Sequence, residues 1–362
     1  MSEEWQFDVV VIGAGVVGLS IAEKLSHFYE NVLLVEKENS FGQHISSRNS
    51  EVIHSGIYYK KGSLKSKLCL EGNKLLYDFL QKYNIPHKRC GKLIVTSESK
   101  SNKLNKLYEN GKSNGVENLQ IVSKEELRKL EPSVKAEIGL LVPSAGILDS
   151  HSLMKKIEYV AKNNGVTFSY NTEISKIGKK ENNYVLQFKG EEFVVKTGIL
   201  VNSAGLWSDK ISELLGINSE KNKYKLRYCK GNYFKTKKYK NMNHLIYPLP
   251  EEHSLGIHTR MFLDGSISFG PDVCFVDEIN YKVDKQNISN FVKSINEYLD
   301  IKEEDLWEDY SGIRPKLVAG TDFIISNEKD NNFPNFINLI GVESPGLTSC
   351  FSIANHVKEI IL

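Results

Sequence analysis

The sequence contains no apolar run of membrane-spanning length, no internal repeat, no low-complexity tract and no long linker. A spanning helix needs about 20 consecutive apolar residues, so the chain is expected to be soluble, or at most peripheral at a membrane surface. Cysteine is sparse: Cys69, Cys90, Cys229, Cys274 and Cys350 are odd in number and far apart. They offer neither a disulfide framework nor a metal-ligand spacing, which suits a reducing cytoplasm. Neither sign of charge dominates; the net charge is +2 and the lysines are scattered, which argues against nucleic acid as the main partner. The apolar start VVVIGAGVVGLSIA has acidic residues before it and glycines inside it, unlike a secretory signal. What remains is an ordinary globular composition, 40% hydrophobic and 25% charged, in 362 residues. That length suffices for two domains or one large one.

The informative opening is FDVVVIGAGVVGLSIAEKLSHF. Asp8 to Ile12 reads as a buried parallel strand, and 16–28 as a helix. Between them Gly13, Gly15 and Gly18 form G-x-G-x-x-G, in which the glycines turn the chain, admit a pyrophosphate and pack helix on strand. The helix then directs its N-terminal N–H groups at the phosphates. NVLLVEKE supplies a second strand ending in Glu36, placed to accept both ribose hydroxyls of an adenosine. Together these predict a dinucleotide site, without deciding between FAD and a nicotinamide cofactor.

Further along, amphipathic helices are expected from Gly62 to about Tyr83, around 99–114 and 124–131, and after Asp149 or Ser150, with a strand at GKLIVTS (91–97). Thr167 to Lys196 reads as a β-meander with Gly178 and Gly190 at its turns. Ile199 to Asn202 reads as a returning parallel strand, followed by Ala204 and Gly205 in close approach to the cofactor. Leu226 to Phe269 predicts a second, largely antiparallel sheet with an Asp264–Gly265 hairpin turn. The C-terminal stretch is again strand, glycine loop and helix, the helix beginning near Leu347 or Thr348. A second helix N-terminus suits the negative charge of a reduced flavin, which favours FAD.

This pattern resembles the D-amino-acid-oxidase-type flavoproteins through nearly the whole chain. Within them it is similar to L-2-hydroxyglutarate dehydrogenases and oxidases, and secondarily to glycerol-3-phosphate oxidases. The segments that carry the likeness are SSRNSEVIHSGIYYKKGSLKSKLC, CGKLIV, NHLIYPLP, LGIHTRMFLDGSISFGPD, SGIRPK and SPGLTS. The resemblance implies an α/β fold in which a Rossmann-like FAD-binding domain (1–80, 145–215 and 318–362) interleaves with a mainly antiparallel substrate domain (81–144 and 216–317). It further implies non-covalent FAD and oxidation of a small 2-hydroxy acid, L-2-hydroxyglutarate in the first place, in a cytoplasmic protein. Oxygen or a quinone would accept the electrons, the second with peripheral contact at the inner face of a membrane.

Residue by residue, the resemblance sets Gly13, Gly15, Val17, Gly18, Glu36 and Lys37 at the adenosine and pyrophosphate. Ser46, Ser47, Arg48 and Asn49 fall on a loop along the pyrophosphate and flavin, with Ile174, Ala204, Gly205 and Gly312 also at the cofactor. Gly346, Leu347 and Thr348 fall beside the pyrimidine edge of the flavin. His54 falls on the base. His258 and Arg260 fall on the H-x-T-R run of the hydroxyglutarate group, whereas the glycerol-phosphate group has a lysine aligning near Leu255. Arg314 falls on a pocket arginine. Two departures stand out: Glu51 replaces a usual glycine, and VESPGLTS replaces an alanine-rich loop.

The chemistry explains why such residues are wanted. An alcohol must lose its hydroxyl proton with the hydride, and a histidine near neutrality can take it. A carboxylate is best held by the paired N–H donors of arginine. Against these stand a structural loop histidine at His54, surface ion pairs at Arg260 and Arg314, and a sheet histidine at His258. Glycerol-3-phosphate, an amine or amino acid, a flavin carrier without turnover and a nicotinamide enzyme are the alternatives to be separated.

Overall fold

A computed structural model of the chain describes residues 3–250 and 256–362, so Leu255 lies outside the described residues. The chain divides into two compact units, 1–47 with 150–228 and 315–362, and 48–149 with 229–314. Residues 48–80, assigned from sequence to the nucleotide-binding part, are compact with the second unit. The boundary moves because the loop after Ser47 enters a sheet there: Val52–Ile53 pairs antiparallel with Gly146–Leu148.

Among its described residues the first unit is built on an eight-stranded sheet. At its centre Glu4–Ile12 pairs in parallel with Val32–Val35 on one side and Val194–Asn202 on the other. Val9, Val10, Val11 and Leu34 have no exposed surface, as a strand covered on both faces requires. The helices Val16–Leu25 and Cys350–Ile361 pack together beside this sheet. Two expectations need correction. Thr167–Ser169 is not the first strand of a meander but pairs in parallel with Val32–Val35, as a strand returning from the helix Ser150–Asn163 should. Gly178 lies inside the strand Ile174–Lys180, and the turn to Asn183–Phe188 falls at Glu181, whose φ is +55°. The meander proper is these two strands with the first half of Val194–Asn202. The C-terminal helix also starts later than expected, at Cys350, after a turn in which the Ser349 N–H donates to the Pro345 carbonyl at 2.9 Å.

Most of the antiparallel sheet expected from Leu226 onward belongs to the second unit; it is made of Leu226–Thr236, His258–Met261, Ile267–Gly270, Cys274–Val276 and Leu306–Leu317. The tight connection is at Asp264–Gly265, where Gly265 has φ +80°, a left-handed conformation that glycine reaches without steric cost. A second sheet orders Leu245–Pro248, Lys92–Thr96, Ile138–Val142 and Gln120–Ser123. Its inner positions Leu93, Ile94, Leu140 and Ile246 belong to one continuous apolar core with Phe234, Phe269 and Phe291. No helix among the described residues is long and apolar enough to cross a membrane.

Candidate active site

The first unit forms a nucleotide cradle from its opening strand, turn and helix. Gly13 has φ +99°, and a Cβ there would lie 2.8 Å from the Ser203 carbonyl oxygen. A Cβ on Gly18 would lie 1.9 Å from the Gly13 oxygen, so this glycine sets how closely the helix approaches the strand. A Cβ on Gly15 would meet only Ser46 Oγ, at 3.2 Å, which leaves main chain open for a phosphate. No side chain caps the helix at Gly15; Ser46 Oγ accepts the Val16 N–H at 3.0 Å, and Val17 stands partly exposed in the first turn. Glu36 accepts the Ala14 N–H at 2.7 Å and the Glu38 N–H at 2.9 Å, which fixes its carboxylate at the strand tip. These groups fit the adenosine and pyrophosphate of FAD. A Gly18→Ala protein is therefore expected to be purified largely without flavin, as read by the FAD-to-protein absorbance ratio; full flavin content would contradict this cradle.

Other residues assigned to the cofactor have more local roles. Lys37 lies 3.1 Å from the centroid of the Trp207 ring and pairs with Glu38 at 3.6 Å. Ser47 Oγ donates to the Gly42 carbonyl. Ile174 packs on the apolar core of the first unit. Ala204 N–H donates to Asn202 Oδ1 at 3.2 Å, and Gly205 adopts φ +55° against Ile45. Gly346 closes a turn on the Glu343 carbonyl, with Leu347 half-buried and Thr348 fully buried beyond it. Cys350 is a buried thiol pushed up to about 12 by its burial, which leaves it protonated and unreactive.

In the second unit the loop that follows Ser47 is held at many points. Arg48 lies over the Tyr281 ring, 4.1 Å from its centroid. Gly312 admits this backbone, since a Cβ there would lie 2.1 Å from the Arg48 oxygen. Asn49 accepts the Glu51 N–H through its side chain at 2.7 Å and the Tyr310 hydroxyl through its carbonyl at 2.7 Å. The His54 carbonyl accepts from Asn73 Nδ2 at 2.8 Å. His54 itself is partly exposed, yet burial of its ring, and then the charges of Lys92 and His258, hold it well below the ordinary histidine range. It is neutral at pH 7 and can take a proton. His258 is held down to about 3, by burial above all, and its ring stacks on Tyr247 with centroids 3.8 Å apart.

The two arginines differ. Arg260 is 7% exposed, lies over the rings of Phe262 and Tyr310, and pairs with Glu51 at 2.8 Å. Its Nε has no hydrogen-bond partner. Arg314 spends Nε on the Cys229 carbonyl and Nη2 on the carbonyls of Lys230 and Asp272, so it braces strands and leaves less of its fork for a carboxylate. Glu51 has φ +55°, a left-handed backbone that favours the glycine the resemblance puts at this position. Left-handed backbone costs a non-glycine residue about 1–2 kcal/mol, whereas leaving a buried arginine unpaired costs about 3–5 kcal/mol. Glu51→Gly is accordingly expected to lower stability by roughly 2 kcal/mol, read as a lower denaturation midpoint; a variant as stable as the parent would mean that the strain outweighs the pair.

Sequence reasoning missed Lys92. Lys92 is fully buried, 3.9 Å from the Tyr247 centroid and 5.1 Å from that of Tyr58. The signal was present: KLIVT places a lysine in a strand whose other inner positions are all apolar. Lys316 pairs with Glu343 at 3.0 Å.

Comparison with known proteins agrees with this architecture. The family model described as FAD dependent oxidoreductase matches residues 8–360. The mitochondrial L-2-hydroxyglutarate dehydrogenase of Arabidopsis thaliana is 38% identical over 98% of this chain and 83% of its own length. A glycerol 3-phosphate dehydrogenase of Caloramator mitchellensis is 31% identical over 98% of this chain and 74% of its own. The dithionite-reduced L-α-glycerophosphate oxidase of Mycoplasma pneumoniae, solved with FAD bound, superposes with a TM-score of 0.89 at 28% identity, covering 98% of this chain and 94% of that one. With a glycine cradle that admits a pyrophosphate and a family match over nearly every residue, the chain belongs to the FAD-dependent oxidoreductase family and is an FAD enzyme.

Proposed function

We propose that this oxidoreductase acts on the alcohol carbon of a small 2-hydroxy acid, with L-2-hydroxyglutarate the substrate best supported. The observation that carries the reading is an imidazole kept neutral, His54, in the same unit as a buried guanidinium, Arg260, whose Nε lacks an acceptor. That is the pair of functions a 2-hydroxy acid demands: a base for its hydroxyl and a cation for its carboxylate. The hydroxyglutarate dehydrogenase named above supports the same class.

In this reading Arg260 binds the 1-carboxylate through Nε while Glu51 holds Nη2 in place. His54 accepts the hydroxyl proton as the carbon gives up its hydride, so the C–O single bond becomes a carbonyl and the product is a 2-oxo acid. FAD, held by the glycine turn and Glu36, supplies the two-electron acceptor. His258, stacked on Tyr247, adds a polar contact. Oxygen or a quinone would be the final electron acceptor, the latter with peripheral membrane contact.

Anaerobic mixing of FAD-loaded protein with millimolar L-2-hydroxyglutarate is expected to bleach the flavin absorbance. Absence of bleaching removes that substrate. Glycerol 3-phosphate is the second reading, supported by the glycerol 3-phosphate dehydrogenase and glycerophosphate oxidase likenesses, and bleaching by it alone would establish that reading instead.

A further inference from the structure

Lys92 opens a strand hydrogen-bonded on both sides, to Leu245–Pro248 and to Ile138–Val142. Such an interior position ordinarily carries an apolar side chain. Here it carries an amine with no exposed surface and no hydrogen-bond partner at Nζ. The hydroxyls of Tyr58 and Tyr247, whose rings flank Nζ, are likewise buried without partners. Lying over the ring faces does not satisfy the N–H donors of Nζ, and buried donors without partners are costly in a folded protein unless something accepts from them. An ammonium flanked by two phenols supplies N–H and O–H donors that match the two oxygens of a carboxylate.

The geometry points to Lys92 as the residue that binds the second carboxylate of a dicarboxylic 2-hydroxy acid, with Tyr58 and Tyr247 donating to the same group. This rests on the 2-hydroxy-acid reading above and sharpens it, because it states how the chain separates a dicarboxylate from a monocarboxylate. The groups around the amine are His54, Tyr58, Cys69, Cys90, Tyr247 and His258. Burial lowers Lys92 to about 7. A carboxylate arriving above that pH must therefore bring a proton with it, and its affinity falls up to about tenfold per pH unit.

The test compares L-2-hydroxyglutarate with L-2-hydroxyvalerate, the same carbon chain without the second carboxylate, in anaerobic flavin reduction by wild type and Lys92→Met. Wild type is expected to prefer the dicarboxylate, and K92M to weaken its half-saturation by about 10²-fold or more, so that the preference collapses. An unchanged preference in K92M overturns the inference. Glutarate binding, read from the perturbed flavin spectrum, is the second arm. Wild type should bind glutarate more tightly than valerate, and more weakly as pH rises above about 7; equal binding of the two acids overturns the inference even if K92M does not fold. If no 2-hydroxy acid reduces wild type, the functional reading falls, and the glutarate arm alone decides the Lys92 subsite.

Discussion

Replacing His54 with alanine is expected to slow anaerobic flavin reduction by about 10²–10⁴-fold, the usual worth of a positioned base, while FAD stays bound. The cradle that holds the cofactor lies in the first unit and His54 in the second, so flavin content and chemistry separate in one preparation. The position of His54 follows from its main chain: the Asn73 amide donates to its carbonyl and also to that of Ser144, at 2.8 and 3.0 Å. Those bonds do not involve the imidazole, and alanine keeps them. The pH profile gives a second check. A base works when deprotonated, and burial with the nearby Lys92 and His258 charges holds His54 well below its ordinary value of 6.5. The acid limb of kcat/KM should accordingly fall well under pH 6.5. A limb at or above that value, or an unchanged rate in the alanine variant, would rule out His54 as the base.

The second large effect runs in the opposite direction. Lys92→Met is expected to make the FAD-loaded protein more stable while impairing its substrate binding. Lys92 is lowered from 10.5 to about 7, with burial as the leading cause. At about 1.4 kcal/mol per pH unit, keeping that amine dry costs on the order of 5 kcal/mol at pH 7. Methionine has similar length, needs no partner and removes the cost. The sign follows from proton uptake: between about 7 and 10.5 the unfolded chain holds the proton that the folded chain lacks. Wild-type stability should therefore rise with pH across that window, and the Lys92 contribution to the slope should vanish in the variant. Denaturant midpoints at pH 7 and pH 9 measure both effects. A K92M protein less stable than wild type, with the slope intact, would mean that Lys92 is charged and paired in the folded state. Retaining so costly a residue is what selection for function at the expense of stability produces.

The nucleotide half was legible because its signals are local. Gly13, Gly15, Gly18 and Glu36 sit within a span of 24 residues, and Gly18 and Glu36 act on Gly13 and Ala14 inside that span. The alternation of the second sheet and its Asp264–Gly265 turn could be read in the same way, from backbone preference and period, whereas the loop bearing His54 has no such period and was placed by resemblance. The errors came where local pattern admits two answers. Thr167–Ser169 alternates as well for a meander as for a parallel strand, and only its pairing with Val32–Val35 decides.

What tertiary structure alone decided is the content of the second unit's cluster. Glu51 meets Arg260 across 209 positions of sequence, and the pair changes both residues, since the glutamate is kept at a strained φ and the arginine is half committed before any substrate binds. Arg314 read as a pocket arginine, yet three main-chain carbonyls hold its guanidinium. Lys92 looked like one lysine among many, and pairing on both sides of its strand made it a buried amine beneath two tyrosines. Side-chain period tells which residues share a face of a strand; it does not tell what lies across from them. Charge, strain and proton affinity depend on that opposing surface, which long-range strand pairing creates and no short window of sequence contains.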